Sequence, residues 1–376
     1  VSVTFLTRLV PHYREPLFAG LHARCGLVVA AQDQAPAAAT LLQTVGDRPW
    51  LRRFPFRVLG GSPEIVDVPV GRILRETGAE LVVAEFSSYL SSTWKLALRR
   101  RLRGRPRLVF WTHGFAAHRA GGRPVDAVLD RMRLWALRSA DAVACYTGES
   151  RDYLARFLPP ERLHVIDNTI DIRPIREQRA RQGTPGRGPG PSLLAVGRMT
   201  PDKRLPLLVE TFRRLLAHQP RARLTIIGDG PDADRVRALA GELLGRSVVL
   251  PGLIYDEAAL APYFLTADLF VATGAVGLGV NHALAYGLPV VAFAALPPGQ
   301  GHHPEIAYVV DDVTGWRVAP FGAEAMSEAL ARILAATPLP RERLGASIDR
   351  FVDERLTMDG MVERFARVIR EVSAAP

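Results

Sequence analysis

Residues 269–293 read LFVATGAVGLGVNHALAYGLPVVAF. The apolar run 269–272 ends in a loop carrying Gly274, Gly277 and Gly279. A helix pattern opens near Leu278, Gly287 stops it, and a second apolar run follows at 289–293. Short apolar runs without polar alternation are the mark of strands covered on both faces. Strand, helix and strand in so few residues predict a parallel βαβ unit. A glycine-lined helix start also offers free N–H groups to an anion.

The alternation extends in both directions. Downstream of 192, strands are expected at 193–196, 224–227, 248–250, 269–272 and 289–293, with helices at 205–216, 232–244, 257–265, 280–286 and 323–334. Upstream, strands are expected at 1–7, 26–31, 56–59, 81–84, 108–111, 142–146 and 164–166, with helices at 88–102, 125–139 and 149–157. Between the two halves, residues 173–191 read RPIREQRARQGTPGRGPGP and carry no apolar periodicity, which predicts a linker. The organisation expected is an α/β chain of two Rossmann-like domains across a cleft: 1–172, a linker 173–191, 192–352, and a terminal amphipathic helix within 353–376.

Composition agrees with two cores. The chain has 376 residues, 48% of them apolar and 23% charged, which excludes wholesale disorder. No apolar run approaches the roughly 20 residues of a membrane span. Cys25 and Cys145 are too few for a disulfide framework. With no secretory signal at the start, a cytoplasmic protein is expected. The formal charge is +10. That balance favours anionic partners or reflects arginine-rich codon usage. Only two lysines occur, Lys95 and Lys203, so Lys203 stands out as a compact point charge where arginine is the habit.

In open α/β sheets, ligands bind beyond the carboxyl ends of the strands. After the run 193–196 comes GRMTPDKR, where Gly197 permits a close turn and Arg198 and Lys203 suit a diphosphate. After 224–227 comes Gly228-Asp229-Gly230-Pro231, a tight turn into a helix. Asp232 and Asp234 read as first-turn acids of that helix, rather than as a metal-binding pair. Leu253 and Ile254 follow the third run. His282 sits one turn into the helix quoted above, where it is either a packing residue or a donor–acceptor for a ligand. In the first half, Glu85, His113, Asn168 and Asp171 follow strand patterns.

Taken together, VGRMTPDKR, IIGDGP, LPGLIYDEAALAPYFLTADLFV and GLGVNHALAYGLPVVAF resemble, in order and spacing over about 190–335, the second half of the family 4 glycosyltransferases with the GT-B fold. The first half is similar more loosely, through WTHGF, SADAVACYTGES and HVIDNTID. The resemblance implies a metal-independent, anomer-retaining transferase. The second domain would bind the nucleotide sugar and the first the acceptor, with the terminal helix returning to the first domain. It implies that Arg198 and Lys203 bind the diphosphate and stabilise the departing charge. It also implies that Gly197 and the segment Gly274, Ala275, Val276, Gly277 and Leu278 approach the phosphates and sugar through backbone groups. Leu253 and Ile254 would flank the base, His282 the ribose, and His113 would face the sugar from the first domain. A UDP-sugar is the first expectation and a GDP-sugar the second, with no other cofactor and no metal.

The sequence departs from that family at two positions. Gly274 and His282 stand where it carries two glutamates eight residues apart. Arg14 stands in a first loop lacking the usual paired glycines and, with Glu85, is a candidate acceptor contact. A sugar-nucleotide epimerase and a binding protein without catalysis are the competing readings. No interleaved aromatic and basic motif points to nucleic acid. Acceptors open to the sequence are a glycan, a glycolipid or a small molecule such as an aminocyclitol. Residues 99–107, RRRLRGRPR, close a helix whose Trp94, Leu98 and Leu102 are expected to face inward. They offer either a solvated end or peripheral contact with an anionic membrane at its inner face.

Overall fold

The structure, a computed structural model, describes residues 1–33, 44–60, 64–114, 124–183, 186 and 188–375. Phe115 of the WTHGF turn and Thr184, Pro185 and Arg187 of the expected linker lie outside the described residues. Two compact units form. The first combines the described residues up to Asn168 with those from Met358 onward, and the second is built on Thr169–Thr357.

In chain order the first unit runs β1 (Val3–Leu6), α1 (Glu15–Cys25), β2 (Val28–Gln32), β3 (Leu51–Phe54), β4 (Arg57–Gly60), β5 (Ile65–Asp67) and α2 (Val70–Thr77). It continues through β6 (Leu81–Glu85), α3 (Ser91–Arg103), β7 (Arg107–Thr112), α4 (Pro124–Leu137), β8 (Ala142–Cys145), α5 (Gly148–Leu154) and β9 (Leu163–Val165). Seven strands make a parallel sheet in the order β3-β2-β1-β6-β7-β8-β9. Successive side chains point to opposite faces. Phe5, Val29, Val83 and Trp111 meet α1 on one face, while Leu6, Ala30, Val82 and Phe110 meet Ile73, Leu96 and Leu137 on the other.

Residues 56–59, expected as a sheet strand, are instead half of an antiparallel hairpin, β4 with β5. The edge strand is the preceding segment LRRF. Its two arginines are exposed, as an edge tolerates, so it lacks the continuous apolar run of a central strand.

The second unit runs α6 (Arg173–Gln182), β10 (Ser192–Val196), α7 (Leu205–Leu215), β11 (Arg223–Ile227), α8 (Ala233–Ala240), β12 (Val248–Gly252) and α9 (Glu257–Thr266). Then come β13 (Leu269–Ala272), α10 (Gly279–Ala285), β14 (Val290–Phe293), β15 (Gly315–Val318), α11 (Ala323–Ala335) and α12 (Pro340–Arg355). Its six parallel strands are ordered β12-β11-β10-β13-β14-β15. This is the strand order of a doubly wound sheet, with its reversal between β10 and β13. Two buried clusters, one with α7 and α11 and one with α9, α10 and α12, cover the two faces.

The segment read as a linker from 173 therefore begins with a helix. Pro174 sits in its first turn and Ile175 is its one buried residue. Arg179 holds Asp349 of α12 through bonds of 2.5 and 3.0 Å. Ion pairs rather than an apolar stripe dock this helix, which is why periodicity did not reveal it. The terminal segment also divides differently. Residues 353–355 finish α12 in the second unit, and α13 (Met358–Ala374) belongs to the first. Phe365 of α13 is fully buried, 5.9 Å from the ring of Phe5 and 5.5 Å from that of Trp111. Among the described residues no helix is long and apolar enough to cross a membrane.

Candidate functional site

The loops after β10 and β13 diverge at the strand-order reversal of the second unit, and a cavity of about 140 Å³ opens there. It is lined by Gly197, Arg198 and Lys203 on one side and by Gly274, Ala275, Val276, Gly277 and Leu278 on the other. Leu253, Ile254 and His282 do not line it.

The two loops grip each other. The Ala275 N–H donates to the Asp202 carbonyl at 2.8 Å, and Lys203 Nζ donates to the Ala275 carbonyl at 2.6 Å. Thr273 Oγ1 donates to the Arg204 carbonyl at 3.0 Å. Arg204 adopts φ +50°, a left-handed conformation costing about 1–2 kcal/mol in a non-glycine residue. Such strain persists only where surrounding contacts enforce it. Glycine at 274 is required by space: a Cβ there would lie 2.1 Å from the Asp202 carbonyl oxygen and 2.4 Å from the Lys203 carbonyl carbon. The glutamate expected from the resemblance has no room at this position.

Beneath this grip the GDGP turn packs on the GRM loop. Met199 N–H donates to the Asp229 carbonyl at 2.8 Å, and Asp232 N–H to the Met199 carbonyl at 2.9 Å. Asp232 stands at the N-cap of α8 but makes no side-chain cap bond, and Asp234 pairs with Arg237 at 2.9 Å.

Arg198 is exposed and its side chain makes no hydrogen bond or ion pair among the described residues, so its guanidinium is open to a ligand. Lys203 is mostly covered. Burial pulls its ammonium below the ordinary value, Asp202 at 3.5 Å opposes that, Arg198 adds to it and Glu305 opposes it. α10 has only seven residues, so individual amides at its start, rather than a long macrodipole, face an incoming anion.

The loop after β14 was missed from sequence. Val276 N–H reaches His302 Nδ1 at 3.4 Å, and His303 N–H reaches the Val276 carbonyl at 3.3 Å. Burial, then the Lys203 charge, pushes the His303 imidazole below its usual value, and Glu305 is 4% exposed. The signal available was the adjacent pair His302-His303 with Pro304-Glu305 just after a strand.

His282 was read as a lone helical histidine, but it has partners from α9 and α10. Its Nε2 is 3.0 Å from Glu257 Oε1, and the Tyr286 hydroxyl donates to the same oxygen at 2.5 Å. Phe264 stacks on both rings, at 4.5 Å and 4.8 Å. Burial works to raise the Glu257 carboxyl, but the hydrogen bonds from His282 and Tyr286 outweigh it and hold the group below its usual range. Arg341 of α12 ties the ends of both helices, donating to the carbonyls of Phe264 at 2.7 Å and Tyr286 at 2.6 Å. Just before α9, Leu253 and Tyr255 are exposed, while Ile254 packs on the core.

In the first unit, His113 is exposed at the carboxyl end of β7. Its ring meets Tyr146 edge-on at 4.1 Å, and its carbonyl accepts from Ser150 Oγ at 2.7 Å. Glu85 accepts from Thr7 Oγ1 at 2.9 Å. Arg14 is 7% exposed, its guanidinium 4.9 Å from the centre of the Trp111 ring. A covered arginine set against that ring braces the strand end. Asn168 is buried, its N–H held by the Tyr146 carbonyl. Asp171 serves the start of α6 through Arg173.

Two family models match this chain. Glycosyltransferase Family 4 matches residues 17–173, and Glycosyl transferases group 1 matches residues 190–336. The chain belongs to the family 4 glycosyltransferases. This family member is 30% identical over 211 residues to the GDP-mannose:cellobiosyl-diphosphopolyprenol alpha-mannosyltransferase of Xanthomonas campestris. That match covers 54% of this chain and 53% of the relative, so it spans about half of each. It is 26% identical to the GDP-mannose-dependent alpha-(1-6)-phosphatidylinositol monomannoside mannosyltransferase of Mycobacterium tuberculosis, over 86% of this chain and 84% of that one. The Anabaena protein HepE, solved in complex with UDP, shares the fold, with a TM-score of 0.70 and 16% identity over 99% and 100% of the two chains.

Proposed function

We propose that this family 4 member is an anomer-retaining glycosyltransferase that takes a hexose from a nucleoside diphosphate sugar. The observation that carries the reading is the convergence of an unpaired Arg198 side chain, the mostly covered Lys203 and the 274–278 backbone at the strand-order reversal of the second unit. Departure of the sugar leaves negative charge on the diphosphate, and fixed positive groups stabilise that charge. In this reading Leu253, Ile254 and Tyr255 receive the base, and His113 meets the transferred sugar. An exposed His113 at the carboxyl end of β7 and the retained charges favour this reading over a binding protein.

Thermal unfolding with UDP, GDP, ADP and TDP and their hexose forms tests it. A ligand at 100 times its dissociation constant stabilises by about 2.7 kcal/mol. We expect one nucleotide to raise the transition clearly, with UDP and GDP the leading arms. The two mannosyltransferases named above support the GDP arm. No response to any of them would end the donor-site reading.

For the acceptor we propose a lipid-linked or otherwise membrane-presented glycan. Leu98 and Leu102 are 49% and 75% exposed, which corrects the expectation that they face inward. The buried apolar residues of α3 are Leu96 and Ala97, with Trp94 packed partly buried beside them. The neighbouring hairpin exposes Val58, Leu59 and Ile65, and α4 exposes Val128 and Met132. At the end of α3 a cavity of about 670 Å³ is walled by Arg75, Arg99, Arg100, Arg105 and Arg107. Apolar side chains among arginines suit an anionic lipid surface, where each basic residue near the surface contributes about 1 kcal/mol. We expect binding to phosphatidylglycerol vesicles that weakens with salt and is reduced at least tenfold in Leu98→Ser/Leu102→Ser. Equal binding to neutral and anionic vesicles would sink the idea.

A further inference from the structure

The cavity of about 670 Å³ at the end of α3 opens at the amino ends of β6 and β7, with Glu80 just before one strand and Arg107 starting the other. Glu85 and His113 stand at the carboxyl ends of the same strands. Five or six residues at about 3.3 Å each put roughly 15–20 Å between the two ends. The cavity is therefore separate from those two residues, and it belongs to a different unit from the donor cavity. Its wall holds fixed and open arginines. Arg100 donates to both oxygens of Asp141, at 2.8 and 2.5 Å, and Arg107 donates to the Val372 carbonyl. Arg75, Arg99 and Arg105 come from α2, α3 and the turn between α3 and β7. Their side chains have no hydrogen bond or ion pair among the described residues. Glu80 is the one carboxylate among the described residues of the wall, and it accepts from the Ser2 N–H at 3.0 Å.

These charges define a ligand. Asp141 neutralises Arg100, and Glu80 offsets one of the other four arginines, so the wall keeps an excess of three positive charges. An apolar ligand is excluded. A phosphate monoester carries about −1.5 to −2 charges at pH 7 and three strong acceptor oxygens. Each oxygen suits one open guanidinium fork. A phosphodiester has one charge and two free oxygens, and leaves a fork unmatched. The volume falls within the roughly 300–1,000 Å³ of small-molecule sites. It exceeds what a phosphate group fills, which leaves room for an organic body. We propose that this cavity is a second anion site of the chain, taking a phosphate monoester on Arg75, Arg99 and Arg105, with Arg100 and Arg107 as the fixed wall behind them. The same head group exists free in solution and, as phosphatidic acid, on a lipid. The proposal does not depend on the donor-site reading.

The competing account is that these arginines only complement helix ends, since Arg75 and Arg99 lie near the carboxyl ends of α2 and α3. Arg105 lies beyond both helices. Ligand binding separates the accounts. In calorimetric titration of the full chain, glycerol 3-phosphate should bind about tenfold or more tightly than the diester glycerophosphoglycerol. Arg99→Ala/Arg105→Ala should weaken that binding by about tenfold or more, with Arg75→Ala acting in the same direction. Arg246→Ala/Arg350→Ala removes the same charge from exposed positions of the second unit and should change it by less than about twofold. Should the soluble ester not bind, phosphatidic acid vesicles should bind about threefold or more tightly than phosphatidylglycerol vesicles of matched surface charge, with the same loss in Arg99→Ala/Arg105→Ala. That result assigns the site to a lipid head group. Ester binding kept in full by Arg99→Ala/Arg105→Ala, or lost equally in the second-unit pair, overturns the proposal. Loss of ester binding in Arg198→Ala would put the anion in the donor cavity and overturns it too. So does failure of the ester to bind together with equal binding of the two kinds of vesicle.

Discussion

Replacing Arg198 or Lys203 by alanine should each lower kcat/KM for the sugar donor by about 10–100-fold, the worth of a hydrogen bond to a charged group. The two variants should differ in stability. Arg198 is exposed and unpaired, so its removal leaves the unfolding transition unchanged. Lys203 donates to the Ala275 carbonyl, so its removal also loosens the grip between the two loops and lowers stability by about 1 kcal/mol. Steady-state kinetics and denaturant unfolding separate these effects. Near-normal transfer by either variant would mean that the diphosphate sits elsewhere.

The same pair sets an alkaline limit. The charged ammonium is the form that meets the diphosphate, and it is lost as pH rises through its pKa. Burial lowers that pKa and the neighbouring Arg198 charge lowers it further, so kcat/KM should fall at a pH below the ordinary lysine range. Arg198→Ala removes a like charge and should move this limb to higher pH. A limb that stays in place, or moves down, would detach Lys203 from the profile.

The second large effect is expected at Gly274, and its direction runs against the family pattern. Gly274→Glu restores a residue type that the resembled family carries there, yet it should damage this protein. The first side-chain atom would fall on the backbone of Asp202 and Lys203, which cannot swing aside as a side-chain tip can. Overpacking costs about 1–3 kcal/mol and more where backbone must move. We expect about 3 kcal/mol of lost stability in both Gly274→Glu and Gly274→Ala, with donor affinity lost as the grip opens. Denaturant unfolding and nucleotide titration measure the two losses. A Gly274→Ala protein of unaltered stability would show that the loops do not approach as described.

The central strands were legible because burial on both faces leaves continuous apolar runs, as in 193–196 and 269–272. β3 and β15 were not, because LRRF and GWRV stand at sheet edges and keep polar residues. α6 was hidden by docking through arginines. The site divides along the same line. Arg198, Lys203 and the 274–278 loop lie in short contiguous segments that follow strands, so local spacing exposed them. Glu257 and the His302–Glu305 segment join through packing between elements distant in sequence. Glu257 taken alone reads as an ordinary first-turn acid. Leu98 and Leu102 misled because a helical apolar spacing was taken to mark the buried face, when Leu96 and Ala97 mark it.

The return of α13 to the first unit has a consequence for biosynthesis. Met361, Phe365 and Ile369 of α13 fill a core whose members outside that helix, among them Phe5, Leu17, Trp111 and Ile166, all lie in the first 166 residues. A ribosome finishes that unit's beginning long before its end. Until about residue 374 has emerged, the α1 face of the first sheet lacks its second covering helix, while the stretch 169–357 already holds all it needs to fold. The order of completion therefore inverts the order of synthesis. A nascent chain stalled near residue 357 would carry a finished second unit behind an open first one, a natural substrate for a holdase chaperone.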